Sequence, residues 1–186
     1  MVEPANGSHV AVPVRRTGGR LGVVLAVVTT HVLNGWLLQG ETSVEIAVPP
    51  EVVYGLVSDV TRTGEWSPEC VRCRWEPGSS GRPGDLFRGW NQNGRNRWSR
   101  LCEVLEATPA DVFAFRTVAT KFKPDSTTWR YSLQPTATGT RLTESFHITK
   151  PLPRPMAWLA ERMMPGHTDV RPEMQSSLAM IKGILE

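Results

Sequence analysis

One glutamate sits where a charge is expensive. Between Thr140 and Thr149, Leu142, Glu144, Phe146 and Ile148 alternate with Thr143, Ser145 and His147. Alternation puts the first four on one face of a β-strand. A carboxylate among Leu, Phe and Ile loses its hydration unless it is paired, hydrogen-bonded or protonated. Glu144 is therefore either a structural group, held by an ion pair or by hydrogen bonds to nearby helices, or a group that anchors a ligand and exchanges protons with it. Arg100 shares a face with Trp98, Cys102 and Val104. Its guanidinium can grip a carboxylate with two parallel hydrogen bonds, that of Glu144 or of an acidic ligand. Alternatively its stem lies along an apolar wall and its head reaches solvent. Tyr131, on one face with Trp129 and Leu133, adds a hydroxyl able to polarise a carbonyl. Glu144, Arg100 and Tyr131 are the candidate catalytic residues.

Other reactive types are sparse. The three cysteines, Cys70, Cys73 and Cys102, are an odd number, so no framework of paired bridges is indicated. Cys70 and Cys73 form a lone C-x-x-C. No second pair or His-x-x-x-His completes a zinc site, and in a regular strand residues three apart face opposite ways. The pair is read as two buried thiols without a joint metal or redox role. His147 falls on the face opposite Glu144. His167 follows Pro165-Gly166 and is at most a minor candidate. No phosphate-binding Gly loop, G-x-S-x-G or H-E-x-x-H is present, and no metal or cofactor is expected.

These side chains need strands to hold them. Val44–Val48 alternates as a half-buried strand, and Pro49-Pro50 stops it and opens a helix, Glu51–Ser58, with Val52, Val53, Leu56 and Val57 at helical spacing. The stretch 61–68, with Trp66 as a core plug, reads as a second short helix. Six strands follow: 70–75, 85–92, 95–107, 111–119, 127–134 and 140–149. Asn93-Gly94 marks one hairpin, because both turn residues need positive φ, and Thr136–Gly139 marks another. After Lys150 the period becomes helical. Met156, Leu159, Ala160, Met163 and Met164 share a face; then Met174, Leu178, Ile181 and Leu185 recur at helical intervals, with a break between Pro165 and Pro172. Antiparallel strands with helices at the ends define an α+β chain.

The 186 residues are 40% hydrophobic and 21% charged, with a formal net charge of +3. That suits one globular domain with an appendage, and is too weakly basic for a dedicated nucleic-acid binder. Arg82, Arg88, Arg95, Arg97 and Arg100 do surround Trp90 and Trp98. Base stacking on a basic surface is thus a reading of another class, although no nucleic-acid partner is expected. Residues 21–40 lack any Asp, Glu, Lys or Arg and follow Arg15, Arg16 and Arg20. That length can span a bilayer. The extension 1–41 is a membrane anchor or uncleaved signal, a loose extension, or a start codon assigned too early. The folded domain is placed at 42–186, with its sheet starting near Ser43. The chain is read as cytoplasmic, with membrane contact through residues 21–40 as the alternative.

Three stretches in order, VEIAVPPEVVYGLVSDVTRTGEWSPEC (44–70), RWSRLCEV (97–104), and the pair TTWRYSLQP (127–135) and GTRLTESF (139–146), resemble the SRPBCC superfamily, especially its polyketide cyclase/dehydrase and lipid-transport group. The resemblance covers residues 42–186. It implies a helix-grip (Bet v 1/START-like) fold: a curved seven-stranded antiparallel sheet around a long C-terminal helix, two short helices after the first strand, and a hydrophobic cavity between. In that frame the walls, and the ligand-binding set, are Trp98, Phe113, Phe115, Trp129, Tyr131, Leu142, Glu144 and Phe146. The resemblance implies binding or carriage of an apolar or amphipathic small molecule, lipid- or polyketide-like. The alternative is a cyclase or dehydratase using Glu144 as acid/base.

Overall fold

The computed structural model describes residues 32–33, 35–163 and 167–186. A short hairpin, β1 (Val32–Leu33) and β2 (Trp36–Leu37), leads into β3 (Gln39–Ile46). Helix α1 (Pro50–Val57) and a 3-10 turn (Val60–Glu65) follow. Then come β4 (Cys70–Trp75), β5 (Leu86–Asn93), β6 (Asn96–Thr108), β7 (Val112–Thr117), β8 (Ser126–Thr136) and β9 (Gly139–Lys150). Two helices close the chain, α2 (Arg154–Met163) and α3 (Arg171–Leu185). Strands β3 to β9 form one sheet, ordered β3-β9-β8-β7-β6-β5-β4 and antiparallel throughout. This is the seven-stranded α+β helix-grip architecture.

The local chemistry explains the elements. Pro50 starts α1 where its missing N–H costs nothing, and Glu51 lies in the first turn. Val53, Leu56 and Val57 face inward while Val52 is exposed. The Asp59 carboxylate accepts from the Thr61 N–H and caps the 3-10 turn. Gly94 takes φ 58° between β5 and β6, but Asn93 ends β5 opposite Asn96. The turn residues are therefore Gly94 and Arg95, with the positive φ at the glycine alone, and not Asn93 and Gly94 as the sequence suggested. The main core joins α1, the 3-10 turn and α3 to the concave face through Ile46, Val53, Leu133, Leu142, Leu178 and Ile181.

Two features differ from the sequence reading. The first sheet strand begins at Gln39, not near Ser43. Its inward positions there hold Gly40 and Thr42, which carry no apolar signal. Gly40 lies opposite Phe146, and a Cβ on it would come within 2.9 Å of that ring. Leu37, still earlier, is buried with Phe146 and Met174 in a second cluster, and its N–H donates to the Thr168 carbonyl. The folded unit thus begins before residue 42.

The second difference is α2. It turns Ala157 inward, while Met156, Trp158, Leu159 and Met163 are exposed. The face read as apolar from Met156, Leu159 and Met163 therefore points to solvent; Met164 and the Pro165-Gly166 break lie outside the described residues. So do residues 1–31, and with them most of the apolar run at 21–40. Among the described residues no helix is long and apolar enough to cross a membrane.

Leu37→Ala should lower the unfolding free energy by about 2–5 kcal/mol, the usual range for emptying a buried Leu site. Val32→Ala, at an exposed position, should leave it unchanged. Urea denaturation of the two variants checks this.

Candidate functional site

Between the concave sheet face and the helices lies a cavity of about 490 Å³. Its floor is a cross-strand pair. Tyr131 in β8 stands opposite Glu144 in β9, and the Tyr131 hydroxyl donates to Glu144 Oε1 at 2.9 Å. The second carboxyl oxygen, Oε2, is buried without a partner among the described residues. Burial, only partly offset by the tyrosine hydrogen bond, pushes the Glu144 pKa up to about 7. Tyr131 is also raised, by burial first and then by the Glu144 charge. Trp66, from the segment after the 3-10 turn, meets Tyr131 edge-on at 5.8 Å and leaves its own indole N–H unpartnered.

One row further along the strands, Trp129 lies opposite Phe146 and Phe115 opposite Trp129. The Trp129 and Phe146 rings are 5.7 Å apart, those of Phe87 and Phe115 5.1 Å. Trp98, Phe113, Phe115, Trp129, Tyr131, Glu144 and Phe146 all line the cavity. Leu142 does not, and this corrects its place among the wall residues. It stands opposite Leu133, one row beyond the floor, fully buried in the main core with α1 residues Val53 and Leu56. Trp66 is both plug and wall.

Arg100 does not meet Glu144. Its Nη1 donates to both Asp125 carboxylate oxygens at 2.9 Å, and its Nη2 donates to the Asp125 carbonyl at 2.9 Å. The partner comes from the loop between β7 and β8, where no strand register could announce it. Lys123, from the same loop, donates to the Ser99 carbonyl. Burial, helped by the Arg100 charge, lowers its pKa. Arg100, Asp125 and Lys123 form a polar rim on the cavity wall. The arginine cluster is also divided: Arg88 pairs with Glu76, Arg100 with Asp125, and Trp98 turns into the cavity.

A second polar group closes the wall near α3. His167 Nε2 lies 2.6 Å from Glu69 Oε1, and Asn93 Nδ2 donates to the same oxygen at 2.7 Å. Trp98 packs edge-on against the His167 ring at 6.0 Å. The carboxylate raises the His167 pKa against the opposing effect of burial. Hydrogen bonds from His167 and Asn93 bring Glu69 below its usual value despite burial. Nothing in the sequence marked this pair, since 98 residues separate its members.

Cys70, Cys73 and Cys102 also lie on the cavity wall, all as free thiols. The face assigned to the C-x-x-C pair needs correction. A bulge at Val71 shifts the β4–β5 register between Cys70 and Arg72. It turns Cys70 and Cys73 to the same, inner face, 3.3 Å apart at sulfur. Among the described residues no cluster of three or more His, Cys, Asp or Glu is arranged to hold a metal ion.

A curved antiparallel sheet gripping a C-terminal helix around an apolar cavity defines the SRPBCC class, with its Bet v 1-like and START-like folds. Residues 38–186 match the family described as polyketide cyclase / dehydrase and lipid transport, and the chain belongs to that family. Solved structures share the fold. Protein CV1439 from Chromobacterium violaceum is 16% identical, covers 80% of this chain and 97% of its own, with a TM-score of 0.59. Ara h 8.0201 is 16% identical over 79% of this chain and 96% of its own, TM-score 0.56. The di-domain ARO/CYC StfQ from the steffimycin biosynthetic pathway is 14% identical over 81% of this chain and 51% of its own, TM-score 0.60. No curated protein matches the sequence.

Two pH effects follow. Glu144 has a folded-state pKa above its unfolded one, so the folded state binds its proton more tightly. Its contribution is full below about pH 4.5 and is lost as pH rises to about 7. That shift corresponds to about 3 kcal/mol. Glu144→Gln should remove this slope, and urea titrations at pH 5 and pH 8 would expose it. Parallel curves for variant and parent would mean that Glu144 is hydrated. For the His167–Glu69 pair the signs differ. The histidine part is present below pH 6.5 and lost as pH climbs through its raised pKa; the carboxylate part is present above 4.5 and lost as pH falls through its lowered one. NMR titration should place His167 above 6.5, and Glu69→Gln should bring it below.

Proposed function

We propose that this protein binds and carries an apolar or amphipathic small molecule, lipid- or polyketide-like, in the cavity between sheet and helices. One observation carries the reading. The wall is aromatic, yet several buried polar atoms on its residues have no partner: Glu144 Oε2, the Trp66 and Trp36 indole N–H groups and Arg100 Nε. Buried polar atoms are normally satisfied. Apolar walls with a few convergent polar groups suit a ligand with a greasy body and one or two oxygen functions. The cavity's size is within the usual range for small-molecule sites. At neutral pH a Glu144 carboxyl poised near pH 7 can either donate to a ligand oxygen or accept from a ligand hydroxyl. Family membership and the shared fold support the class of ligand without naming it.

The same carboxyl favours a second reading. A group that titrates near neutrality and touches a tyrosine hydroxyl has the makings of a general acid/base. A cyclisation or dehydration of a polyketide-like chain would use Glu144 to move the proton and Tyr131 to polarise a carbonyl. Glu144→Gln separates the readings. Carriage should weaken only modestly, whereas turnover should vanish.

The test of carriage is fluorescence titration with a fatty-acid probe and a polycyclic aromatic probe. Saturable quenching of the wall tryptophans is expected. Ile148 lines the cavity and is partly exposed. Ile148→Arg should place a long stem across the space while its head reaches water. Binding should weaken by at least about tenfold, roughly 1.4 kcal/mol, with cooperative unfolding retained. Unchanged binding in that variant would mean the probes sit elsewhere.

A further inference from the structure

The bulge at Val71 gives the cavity a feature that carriage does not require. Cys70 and Cys73 are 8% and 7% exposed, both free and both on the cavity wall. Their sulfurs, 3.3 Å apart, are in close contact. Gly89 stands opposite Cys73 on β5. A Cβ there would lie 3.3 Å from the Cys73 sulfur and 3.7 Å from that of Cys70. The missing side chain thus makes the space in which the two thiols meet. The approach to them runs through an apolar chamber, which favours apolar reactants over charged ones.

We infer that Cys70 and Cys73 form a modification site, an internal dithiol that an apolar organic hydroperoxide entering the cavity oxidises to a Cys70–Cys73 disulfide. Cys70 is the attacking group. The hydrogen bond from the Cys73 thiol favours its thiolate, while that bond and burial push the Cys73 thiol upward. The Cys70 sulfur attacks one peroxide oxygen. An S–O bond forms, the O–O bond breaks, and the departing alkoxide leaves as the alcohol with the Cys70 proton. The Cys73 sulfur then attacks the Cys70 sulfenic acid. The S–S bond forms, the S–O bond breaks, and hydroxide leaves as water with the Cys73 proton. Two thiols lose two electrons and two protons, and the hydroperoxide gains them as alcohol and water. A neighbouring thiol that resolves the sulfenic acid is what makes such oxidation reversible. The inference does not depend on what the cavity carries.

The experiment treats the reduced full chain with cumene hydroperoxide, alkylates in denaturant and maps the cysteines by mass spectrometry. Two of the three thiols should be lost together, in a Cys70–Cys73 cross-linked peptide that dithiothreitol reverses, with Cys102 still alkylated. Cys73→Ser should accumulate Cys70 sulfenic acid that dimedone traps. Cys70→Ser should slow thiol loss by about tenfold or more, because the attacking thiolate is gone. Linkage through Cys102, three unreacted thiols, or equal oxidation rates in the two variants would overturn the proposal. Because the mapping uses the unaltered chain, it decides the matter even where a variant fails to fold. A chain that oxidises in this way but quenches with no apolar probe supports the dithiol while the carrier reading fails.

Discussion

The register of β8 against β9 is the constraint on which the site depends. It sets Leu133 opposite Leu142, Tyr131 opposite Glu144 and Trp129 opposite Phe146. The rows continue into β7, where Phe113 faces Tyr131 and Phe115 faces Trp129. A slip of one residue would turn Arg130, Ser132, Thr143 and Ser145 inward and send the aromatic set to solvent. Along the same two strands the environment changes row by row. Leu133 and Leu142 are closed off by α1. Tyr131 and Glu144 are buried but border open space, and Trp129 and Phe146 form the wall beyond. Core and cavity are successive rows of one ladder.

That placement makes Glu144 a costly residue. Among the described residues its single hydrogen bond comes from Tyr131 and its other oxygen has none. An apolar residue would pack more favourably there. That cost is consistent with the proposed role of Glu144 in binding or proton transfer. Arg100 shows the contrast. Asp125 supplies both of its carboxylate oxygens and its main-chain carbonyl, so most of that cation is satisfied within the protein. The two groups that the sequence suggested as partners therefore divide the work. Arg100 ties the β7–β8 loop to β6, and Glu144 faces the chamber.

Much of this was legible because strands obey a period of two. The faces of β8 and β9 and the Pro-Pro helix start follow from local chemistry, as does the β5–β6 hairpin, although its turn is Gly94-Arg95, one residue past Asn93-Gly94. What escaped has identifiable causes. The bulge at Val71 adds one residue to β4, and nothing in Cys-Val-Arg-Cys distinguishes a bulged strand from a regular one. The early start of β3 hides behind Gly40 and Thr42, inward residues without apolar side chains. The partners of Arg100 and His167, Asp125 and Glu69, lie in connecting segments, where periodicity says nothing. Leu142 was placed on the correct face, but alternation gives a face and not a depth along the strand. Depth depends on where α1 ends.

The face of α2 illustrates a different limit. Periodicity grouped Met156, Leu159, Ala160 and Met163, yet the helix rests on Ala157, with Ala160 on the cavity wall and Trp158 66% exposed. Apolar residues occur on both sides of this helix, so a hydrophobic stripe could not choose between them. Small side chains let the helix approach the opening closely, but they bury little surface. Each buried methylene contributes only about 0.8 kcal/mol, and Ala157 brings a single methyl. By contrast α3 sinks Met174, Leu178 and Ile181 into the core. The cover is thus held unequally, firmly by α3 and lightly by α2. Polar contacts flank the junction of the two helices, His167 on Glu69 and the Asn96 amide on the Met163 carbonyl at 2.8 Å, while Val170 packs on the Leu37, Phe146 and Met174 cluster. Local opening follows the lowest density of buried apolar contact. By that measure α2, not α3, is the weaker part of the cover.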